Sequence, residues 1–138
     1  RWFVEYINSM KPDEVFDGAK KLFNQIREDK IKVGLASSSK NARAVLKLLD
    51  IEKEFDVVVD GNMIHHTKPH PEIFLKAASD LGLQPSDCIV IEDAEAGIEA
   101  AVRAGMKCIG IGSSNQLRKA NLVVSKLSDI NYQQMKQL

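Results

Sequence analysis

Residues 88–97 read Cys-Ile-Val-Ile-Glu-Asp-Ala-Glu-Ala-Gly, an apolar run that ends in two adjacent carboxylates. The run over residues 88–92 predicts a buried strand, and the Ala-rich stretch 96–104 predicts a helix that ends at Gly105. Two carboxylates at the end of a buried strand are costly unless they are paired or bind a cation. The segment therefore predicts one strand and one helix of an α/β fold, with an acidic site where the strand ends.

The same alternation of apolar strands and amphipathic helices continues on both sides of this segment. Strands are predicted at residues 32–36, 56–60, 107–111 and 122–124, and helices at 41–50, 71–82 and 129–137. Strands that are apolar on both faces are typical of a parallel sheet covered by helices, with right-handed crossovers. The predicted fold class is therefore an α/β three-layer sandwich. Residues 1–29 differ: a helix is predicted over residues 2–10 and another after a turn-rich joint at 11–18.

Composition excludes several classes of protein. The chain has 138 residues, of which 19 are basic and 19 acidic, so its formal charge is zero. This length predicts one domain, and the charge balance argues against a nucleic-acid-binding arm or a polybasic membrane patch. No apolar run approaches the roughly 20 residues of a membrane helix. Cys88 and Cys108 each lie in an apolar run, which predicts buried thiols in a reducing cytoplasm, with a disulfide as the alternative.

Ligands of an open α/β sheet bind beyond the carboxyl ends of its strands, so the polar residues after each strand form the candidate site. Hydroxyls and free backbone N–H groups at a helix start can bind an anion. The alternative is a simple helix cap at Ser39 with a solvated lysine beside it. The residues that follow the strand at 32–36 are Ser37, Ser38, Ser39, Lys40 and Asn41.

Two further groups follow later strands. Lys68 precedes Pro69, which restricts the backbone so that the lysine can project into the site as a point charge; an exposed loop lysine is the alternative. Glu92 and Asp93 are oxygen ligands that suit Mg²⁺, although Asp93 could instead cap the next helix. Gly97 leaves room for close packing nearby. We interpret three histidines as loop residues and not as metal ligands, because no Cys is near them: His65, His66 and His70.

Together these motifs resemble those of the haloacid dehalogenase superfamily of phosphotransferases, and most closely its β-phosphoglucomutase branch. The resemblance covers nearly all of residues 12–138. It rests on Val-Gly-Leu-Ala-Ser-Ser-Ser-Lys-Asn at 33–41, Thr-Lys-Pro-His-Pro-Glu-Ile-Phe at 67–74 and Ile-Val-Ile-Glu-Asp-Ala-Glu-Ala-Gly-Ile at 89–98. It implies a Rossmann-like three-layer core from which most of the helical cap is missing.

The resemblance also implies roles for the site residues. Ser37 and Lys68 are the expected catalytic residues: the hydroxyl of Ser37 binds the transferring phosphate, and Lys68 stabilises that phosphate and the nucleophile's charge. Glu92 and Asp93 are expected to hold Mg²⁺ directly or through water. Residues 39–41 are expected to hold the substrate's other phosphate. The full expected phosphate-binding set is Ser37, Ser38, Ser39, Lys40, Asn41 and Lys68.

The implied reaction is Mg²⁺-dependent phosphoryl transfer through a phospho-aspartate, interconverting β-glucose 1-phosphate and glucose 6-phosphate. Two alternatives stay open: a phosphatase of the same superfamily that acts on small sugar phosphates or phosphoglycolate, and a non-catalytic α/β module that binds phosphate. The superfamily's first motif, Asp-x-Asp, supplies the nucleophile, and no Asp-x-Asp occurs in this chain. We therefore expect the chain to be the C-terminal part of an enzyme and to be inactive alone.

The missing motif has a structural implication as well. By the resemblance, residues 1–11 are the end of the helical cap, and residues 12–138 are a core that lacks its first strand. That strand is central in the family, between the strands at 32–36 and 88–92, so its absence leaves two unpaired apolar edges. We expect the missing N-terminal segment or self-association to complete the sheet. The other expected partner is a sugar phosphate, with no nucleic acid and no membrane.

Overall fold

A computed structural model describes residues 3–6, 20–48 and 50–138. The strands are β1 Phe3–Tyr6, β2 Lys32–Ala36, β3 Val57–Val59, β4 Cys88–Glu92, β5 Lys107–Ile111 and β6 Leu122–Val124. They form one parallel sheet in the order β3-β2-β1-β4-β5-β6. The helices are α1 Lys20–Glu28, α2 Ala42–Leu48, α3 Glu72–Leu81, α4 Glu95–Ala104 and α5 Tyr132–Lys136, with short 3₁₀ helices at Glu52–Glu54, Pro85–Asp87 and Leu127–Asp129.

The sheet divides its side chains between two hydrophobic cores, because successive residues of a strand point to opposite faces. In β4, Ile89 and Ile91 enter one core together with Ile26 of α1, whereas Cys88 and Val90 enter the other. Helices α1, α2 and α5 close the first core, and α3 and α4 close the second. A parallel sheet with helices on both faces confirms the predicted α/β three-layer sandwich.

Most element boundaries agree with the sequence prediction. Four strands occupy the predicted residues, and α3 and α4 each end at a predicted glycine in the left-handed conformation, Gly82 at φ 72° and Gly105 at φ 79°. Helix α5 begins later than predicted, because the Asn131 side chain caps it by accepting the Gln134 N–H at 3.0 Å. None of the described helices is both long and apolar enough to cross a bilayer.

The predicted helix over residues 2–10 is wrong for residues 3–6, which form the central strand β1. This strand pairs with β2 on one side and β4 on the other, with Val4 opposite both Val33 and Ile89. Its sequence, Phe-Val-Glu-Tyr, is rich in aromatic and β-branched residues, which favour strands, and two neighbours supply partners for its backbone groups. The two expected unpaired edges between β2 and β4 are therefore not found in the described sheet.

The remainder of the N-terminal prediction falls outside this strand. Residues 7–19, which contain the predicted turn-rich joint at 11–18, lie outside the described residues. The division of the chain into the end of a cap at 1–11 and a core at 12–138 stays a prediction. The predicted second helical segment is present as α1, whose Leu22, Phe23 and Ile26 are buried in the first core.

The two cysteines are free thiols in the second core, which confirms the predicted buried thiols. Cys88 on β4 and Cys108 on β5 are 1% and 0% exposed. Burial raises the pKa of the Cys88 thiol to about 12, and the neighbouring Asp87 carboxylate adds to this rise. The Cys88 thiol donates a hydrogen bond to the Gln84 carbonyl at 3.3 Å. Cys88 is therefore protonated at neutral pH; the cytoplasmic location inferred from these thiols stays a prediction.

Replacing Val4 with proline tests the central position of β1. Proline lacks an N–H and is poorly tolerated inside a sheet, and β1 pairs on both sides. We expect the free energy of unfolding in urea to fall by about 2 kcal/mol or more, the order of a lost hydrogen bond with an unsatisfied partner. The control Val4→Ile keeps the N–H and the β-branch and should lose much less. Equal stability of Val4→Pro and the parent chain would contradict the strand assignment.

Candidate active site

The buried polar side chains of the described residues are Ser37, Asp60 and Glu92. Ser37 directly follows β2, Asp60 directly follows β3, and Glu92 is the last residue of β4. Parallel strands all end at one edge of their sheet, so the three side chains belong to the same edge. Burying a polar group costs free energy unless the group has a hydrogen-bond or charge partner. The buried polar side chains of the described residues all lie at this edge, so we take the edge as the candidate site.

Lys68 and Glu92 form a buried ion pair at this edge. The Lys68 Nζ lies 2.7 Å from the Glu92 Oε2, and the two side chains are 14% and 3% exposed. The same Nζ lies 5.0 Å from the centre of the Phe74 ring on α3, within reach of a cation–π interaction. The Lys68–Pro69 peptide bond is cis. The ion pair thus joins the loop after β3 to the end of β4 and brings together two of the predicted site residues.

The second carboxylate oxygen of Glu92 is held by the start of α4. The Oε1 accepts the backbone N–H of Asp93 at 3.0 Å and that of Ala94 at 3.2 Å. The carboxylate also packs against Gly97, where a Cβ atom would lie 2.1 Å from the Glu92 Cδ. Gly97 therefore leaves the space that the carboxylate occupies, as the sequence suggested, and both oxygens of Glu92 have fixed partners.

Burial and charge act on Glu92 in opposite directions. Burial is the largest effect and raises the pKa of the Glu92 carboxyl above its ordinary value. The Lys68 ammonium, through its charge and its hydrogen bond, opposes this rise, whereas a hydrogen bond with the Asp93 side chain adds to it. The net direction is a raised pKa. An additional cation beside Glu92 would stabilise the charged form of its carboxyl.

Glu92 and Asp93 supply carboxylate oxygens for such a cation. Asp93 is half-buried, and its side chain hydrogen-bonds to that of Glu92. Two carboxyls in contact favour either a shared proton or a cation between them, and hard oxygen ligands are those that Mg²⁺ takes. Within the described ranges, no three or more His, Cys, Asp or Glu side chains gather to hold a metal. The acidic pair therefore fits Mg²⁺ as two ligands, with water or substrate oxygens as the others.

The residues after β2 form a loop that is tied to β3 and to itself. The Ser37 N–H donates to the Val59 carbonyl at 2.9 Å, and the Ser39 N–H donates to the Ser37 Oγ at 3.1 Å. The Ser39 Oγ accepts the Asn41 N–H at 3.1 Å, a local turn that ends one residue before α2; the alternative that Ser39 caps the helix stays a prediction. Lys40 is exposed. Anion binding stays a prediction for the whole set: Ser37, Ser38, Ser39, Lys40, Asn41 and Lys68.

Two residues that the sequence analysis did not single out, Gly61 and Asn62, contact this loop, and a third, Asp60, holds the turn that presents them. Asp60, Gly61 and Asn62 directly follow β3, and the Asp60 Oδ1 accepts the Asn62 N–H at 2.9 Å. The Gly61 N–H donates to the Ser39 carbonyl at 3.1 Å, and the Asn62 amide donates to the Lys40 carbonyl at 3.3 Å. The rule that polar residues after strand ends form the site also applies to these positions and could have identified them.

The three histidines lie on an exposed stretch before α3 and interact with its first residues. The rings of His66 and His70 stack with their centres 4.5 Å apart, and the His70 Nδ1 accepts the Glu72 N–H at 3.1 Å. The Glu72 Oε1 accepts the backbone N–H of His66 at 2.8 Å and also that of His65. The first of these bonds contributes most to holding the pKa of Glu72 below its ordinary value. These contacts anchor the segment that contains Lys68.

Comparison with known proteins identifies the family. The family model of haloacid dehalogenase-like hydrolases matches residues 3–105. Beta-phosphoglucomutase of Bacillus subtilis (strain 168) is 43% identical over 124 residues, which are 90% of this chain and 55% of that protein. Fructose-1-phosphate phosphatase YqaB of Escherichia coli (strain K12) is 43% identical over 79 residues, which are 57% of this chain and 42% of that protein. The crystal structure of beta-phosphoglucomutase from Clostridium difficile has a TM-score of 0.87 at 39% identity, covering 94% of this chain and 58% of that one.

The chain therefore belongs to the haloacid dehalogenase-like hydrolase family. Within that family of enzymes it is close to beta-phosphoglucomutase in both sequence and structure, and it is also similar to a sugar-phosphate phosphatase. These findings confirm the Rossmann-like core and the superfamily that the motifs implied. The chain spans about half the length of the curated relatives that it matches.

Replacing Lys68 with methionine tests the buried ion pair. Removing one partner leaves Glu92 buried with an uncompensated charge, and we expect this to cost about 3 kcal/mol of stability at neutral pH. The pKa of Glu92 is already raised in the folded chain and rises further without Lys68. The deficit should therefore grow as pH rises through this folded-state pKa and shrink when Glu92 is protonated at lower pH.

Urea unfolding of Lys68→Met and of the parent chain, from acidic to neutral pH, measures this loss of stability and its dependence on pH. Lys76→Met is the control, because Lys76 lies on α3 and forms only a partly exposed pair with Asp80 at 3.5 Å. We expect this control to cost under about 1 kcal/mol at every pH. A Lys68→Met deficit that does not change with pH would contradict the assignment.

Proposed function

We propose that this chain is the part of a β-phosphoglucomutase-like enzyme that binds the transferring phosphate and its Mg²⁺. In the whole enzyme, the site would serve the interconversion of β-glucose 1-phosphate and glucose 6-phosphate through a phospho-aspartate. The observation that supports this most is the Lys68–Glu92 ion pair, buried at the edge where Ser37, Asp60 and Glu92 are also buried. A lysine and an acidic pair at one sheet edge are suited to a phosphate and a cation bound side by side.

The proposed roles follow from the position of each side chain. Lys68 is fixed by Glu92 but remains 14% exposed, so its ammonium can meet a phosphate oxygen without leaving its partner. Ser37 places a hydroxyl at the end of β2, two strands away from Glu92. When bound by Glu92 and Asp93, Mg²⁺ would neutralise charge on the phosphoryl oxygens. These groups bind and orient the phosphate and stabilise its developing charge.

We assign no nucleophile to this chain. The attacking carboxylate of the superfamily lies in an Asp-x-Asp motif, and the sequence contains none. Positioning and electrostatic stabilisation remain, but they do not supply an acceptor for the phosphoryl group. We therefore expect the isolated chain to bind phosphate without turnover. The names of its relatives, a phosphoglucomutase and a fructose-1-phosphate phosphatase, favour a small sugar phosphate as substrate.

The 43% identity to fructose-1-phosphate phosphatase favours a second candidate, a phosphatase of small sugar phosphates or phosphoglycolate. The site residues would be the same, because both reactions begin with transfer to a carboxylate and differ only in whether a sugar hydroxyl or water then accepts the phosphoryl group. In the enzyme that carries the nucleophile, isomerisation without phosphate release supports the mutase. Release of inorganic phosphate supports the phosphatase.

Calorimetric titration of the chain with inorganic phosphate, with and without Mg²⁺, tests the proposed site. We expect Mg²⁺ to tighten phosphate binding by about tenfold or more, the order of one charge-assisted contact. The double variant Glu92→Gln, Asp93→Asn should lose this dependence. Asp87→Asn, which alters an exposed carboxylate at the opposite end of β4, should retain it.

The same preparations are assayed for conversion of β-glucose 1-phosphate and for phosphate release, and we expect neither. Phosphate binding that is equally tight without Mg²⁺ would contradict the cation site and favour a non-catalytic binding module. Mg²⁺-dependent turnover that persists in a contaminant-free preparation and disappears in Lys68→Met would contradict the expected inactivity of the chain.

A further inference from the structure

The loop after β3 presses directly against the loop that carries the predicted phosphate-binding residues. We propose that Gly61 and Asn62 are positioning residues, which fix the conformation of residues 38–41 and thereby set the affinity of that loop for the substrate's phosphate. This inference rests on the proposed function, because it assumes that residues 38–41 bind a phosphate. Neither Gly61 nor Asn62 lies in the stretches 33–41, 67–74 or 89–98 that identify the superfamily.

Gly61 is required by the close approach of two backbones. A Cβ atom at this position would lie 2.2 Å from the Ser38 carbonyl oxygen and 3.0 Å from the Ser38 carbonyl carbon. These are main-chain atoms, so no side-chain rotation could relieve the overlap. The Gly61 N–H also donates to the Ser39 carbonyl at 3.1 Å. Any larger residue at position 61 must therefore push the two loops apart.

Asn62 extends the same contact by one residue. Its side-chain amide donates to the Lys40 carbonyl at 3.3 Å. A tight turn holds its backbone, because the Asp60 Oδ1 accepts the Asn62 N–H at 2.9 Å and the Asp60 carbonyl accepts the Met63 N–H at 3.1 Å. Asp60 itself is 8% exposed. The amide is thus presented to the neighbouring loop from a rigid support.

The hydrogen bonds from Gly61 and Asn62 end on backbone carbonyl oxygens of the loop that is proposed to bind phosphate. The carbonyls of Ser39 and Lys40 receive hydrogen bonds from Gly61 and Asn62. A carbonyl oxygen that faces an anion repels it, and a donor bound to that oxygen reduces its negative potential. With the Ser37 N–H bound to the Val59 carbonyl at 2.9 Å, the end of β3 holds the loop at three successive points. The loop is therefore preorganised by its neighbour as well as by its own serines.

Nuclear magnetic resonance of the backbone amides tests the proposal in the full chain. The chain and its variants Gly61→Ala and Asn62→Ala are titrated with glucose 6-phosphate in the presence of Mg²⁺, and the amide signals of residues 37–41 are followed. We expect Gly61→Ala to weaken binding about tenfold or more. Asn62→Ala should weaken it about threefold, as fits one exposed hydrogen bond, and Asn62→Gln, which keeps the amide donor, should weaken it less.

Two matched variants separate positioning from general instability. Gly82→Ala strains a glycine at φ 72° that ends α3 and has open space around it, so it should lower stability without changing phosphate affinity. Asn24→Ala removes an exposed amide on α1 and should change neither the stability of the chain nor its affinity for phosphate. If Gly82→Ala weakens binding as much as Gly61→Ala at the same loss of stability, the positioning role is wrong.

Titration of the parent chain, together with spectra recorded without ligand, distinguishes failure of this inference from failure of the proposed function. If the parent chain binds no phosphate, the proposed function fails, and the inference that depends on it fails with it. If the parent binds phosphate, two results overturn the positioning role alone. These are ligand-free amide signals of residues 38–41 that do not move in Gly61→Ala and Asn62→Ala, and affinities of both variants equal to that of the parent.

Discussion

The ion pair between Lys68 and Glu92 connects, at the carboxyl edge of the sheet, two residues that lie 24 positions apart in the sequence. A carboxylate buried at the end of a strand needs both a cation and hydrogen-bond donors. Lys68 supplies the cation, and the backbone N–H groups of Asp93 and Ala94 supply the donors. Gly97 supplies the space. Because these partners come from the loop after β3 and from α4, one interaction fixes the relative positions of both.

In the proposed site, the same arrangement would link the binding of an anion to that of a cation. Lys68 would meet a phosphate only by sharing its ammonium between that anion and Glu92. A cation held by Glu92 and Asp93 would then neutralise the carboxylate charge that Lys68 no longer fully compensates. Each ligand would lower the cost of binding the other, which is a reciprocal coupling between two adjacent sites. Burial strengthens this coupling, because charges interact more strongly where water is excluded.

The α/β class, the strands β2 to β6 and the polar residues that follow β2 and end β4 could be predicted from local patterns. A short apolar run such as 88–92 is readily predicted as a buried strand. Gly82 and Gly105 end their helices because glycine adopts the left-handed conformation, a cause that is local in sequence. Strand β1 could not be predicted in this way, because the spacing of Phe3, Tyr6, Ile7 and Met10 also fits a helix. Its strand conformation depends on pairing with β2 and β4, which are distant in sequence.

The contact of Gly61 and Asn62 with residues 38–41 depends in the same way on tertiary structure. No local pattern shows that two loops approach closely enough to exclude a Cβ atom. The Lys68–Glu92 pair is intermediate between the local patterns and the tertiary contacts. Each residue could be selected from its position after a predicted strand, but the distance between the two side chains and their burial could not be predicted. In the described part of the chain, sequence reasoning was thus most successful where the cause was local. It was least successful where the cause was a contact between backbone segments that are distant in sequence, as for β1 and Gly61.

The two cysteines are internal probes of how often the helices α3 and α4 separate from the sheet. Cys88 and Cys108 lie on neighbouring strands beneath α3 and α4 and are almost fully buried, and this burial also keeps the Cys88 thiol protonated and unreactive. Modification of either sulfur therefore requires the helical layer to separate from the sheet. The rate at which a small electrophile consumes these thiols reports how often that separation occurs. The core can thus be monitored without adding a dye, a tag or a mutation.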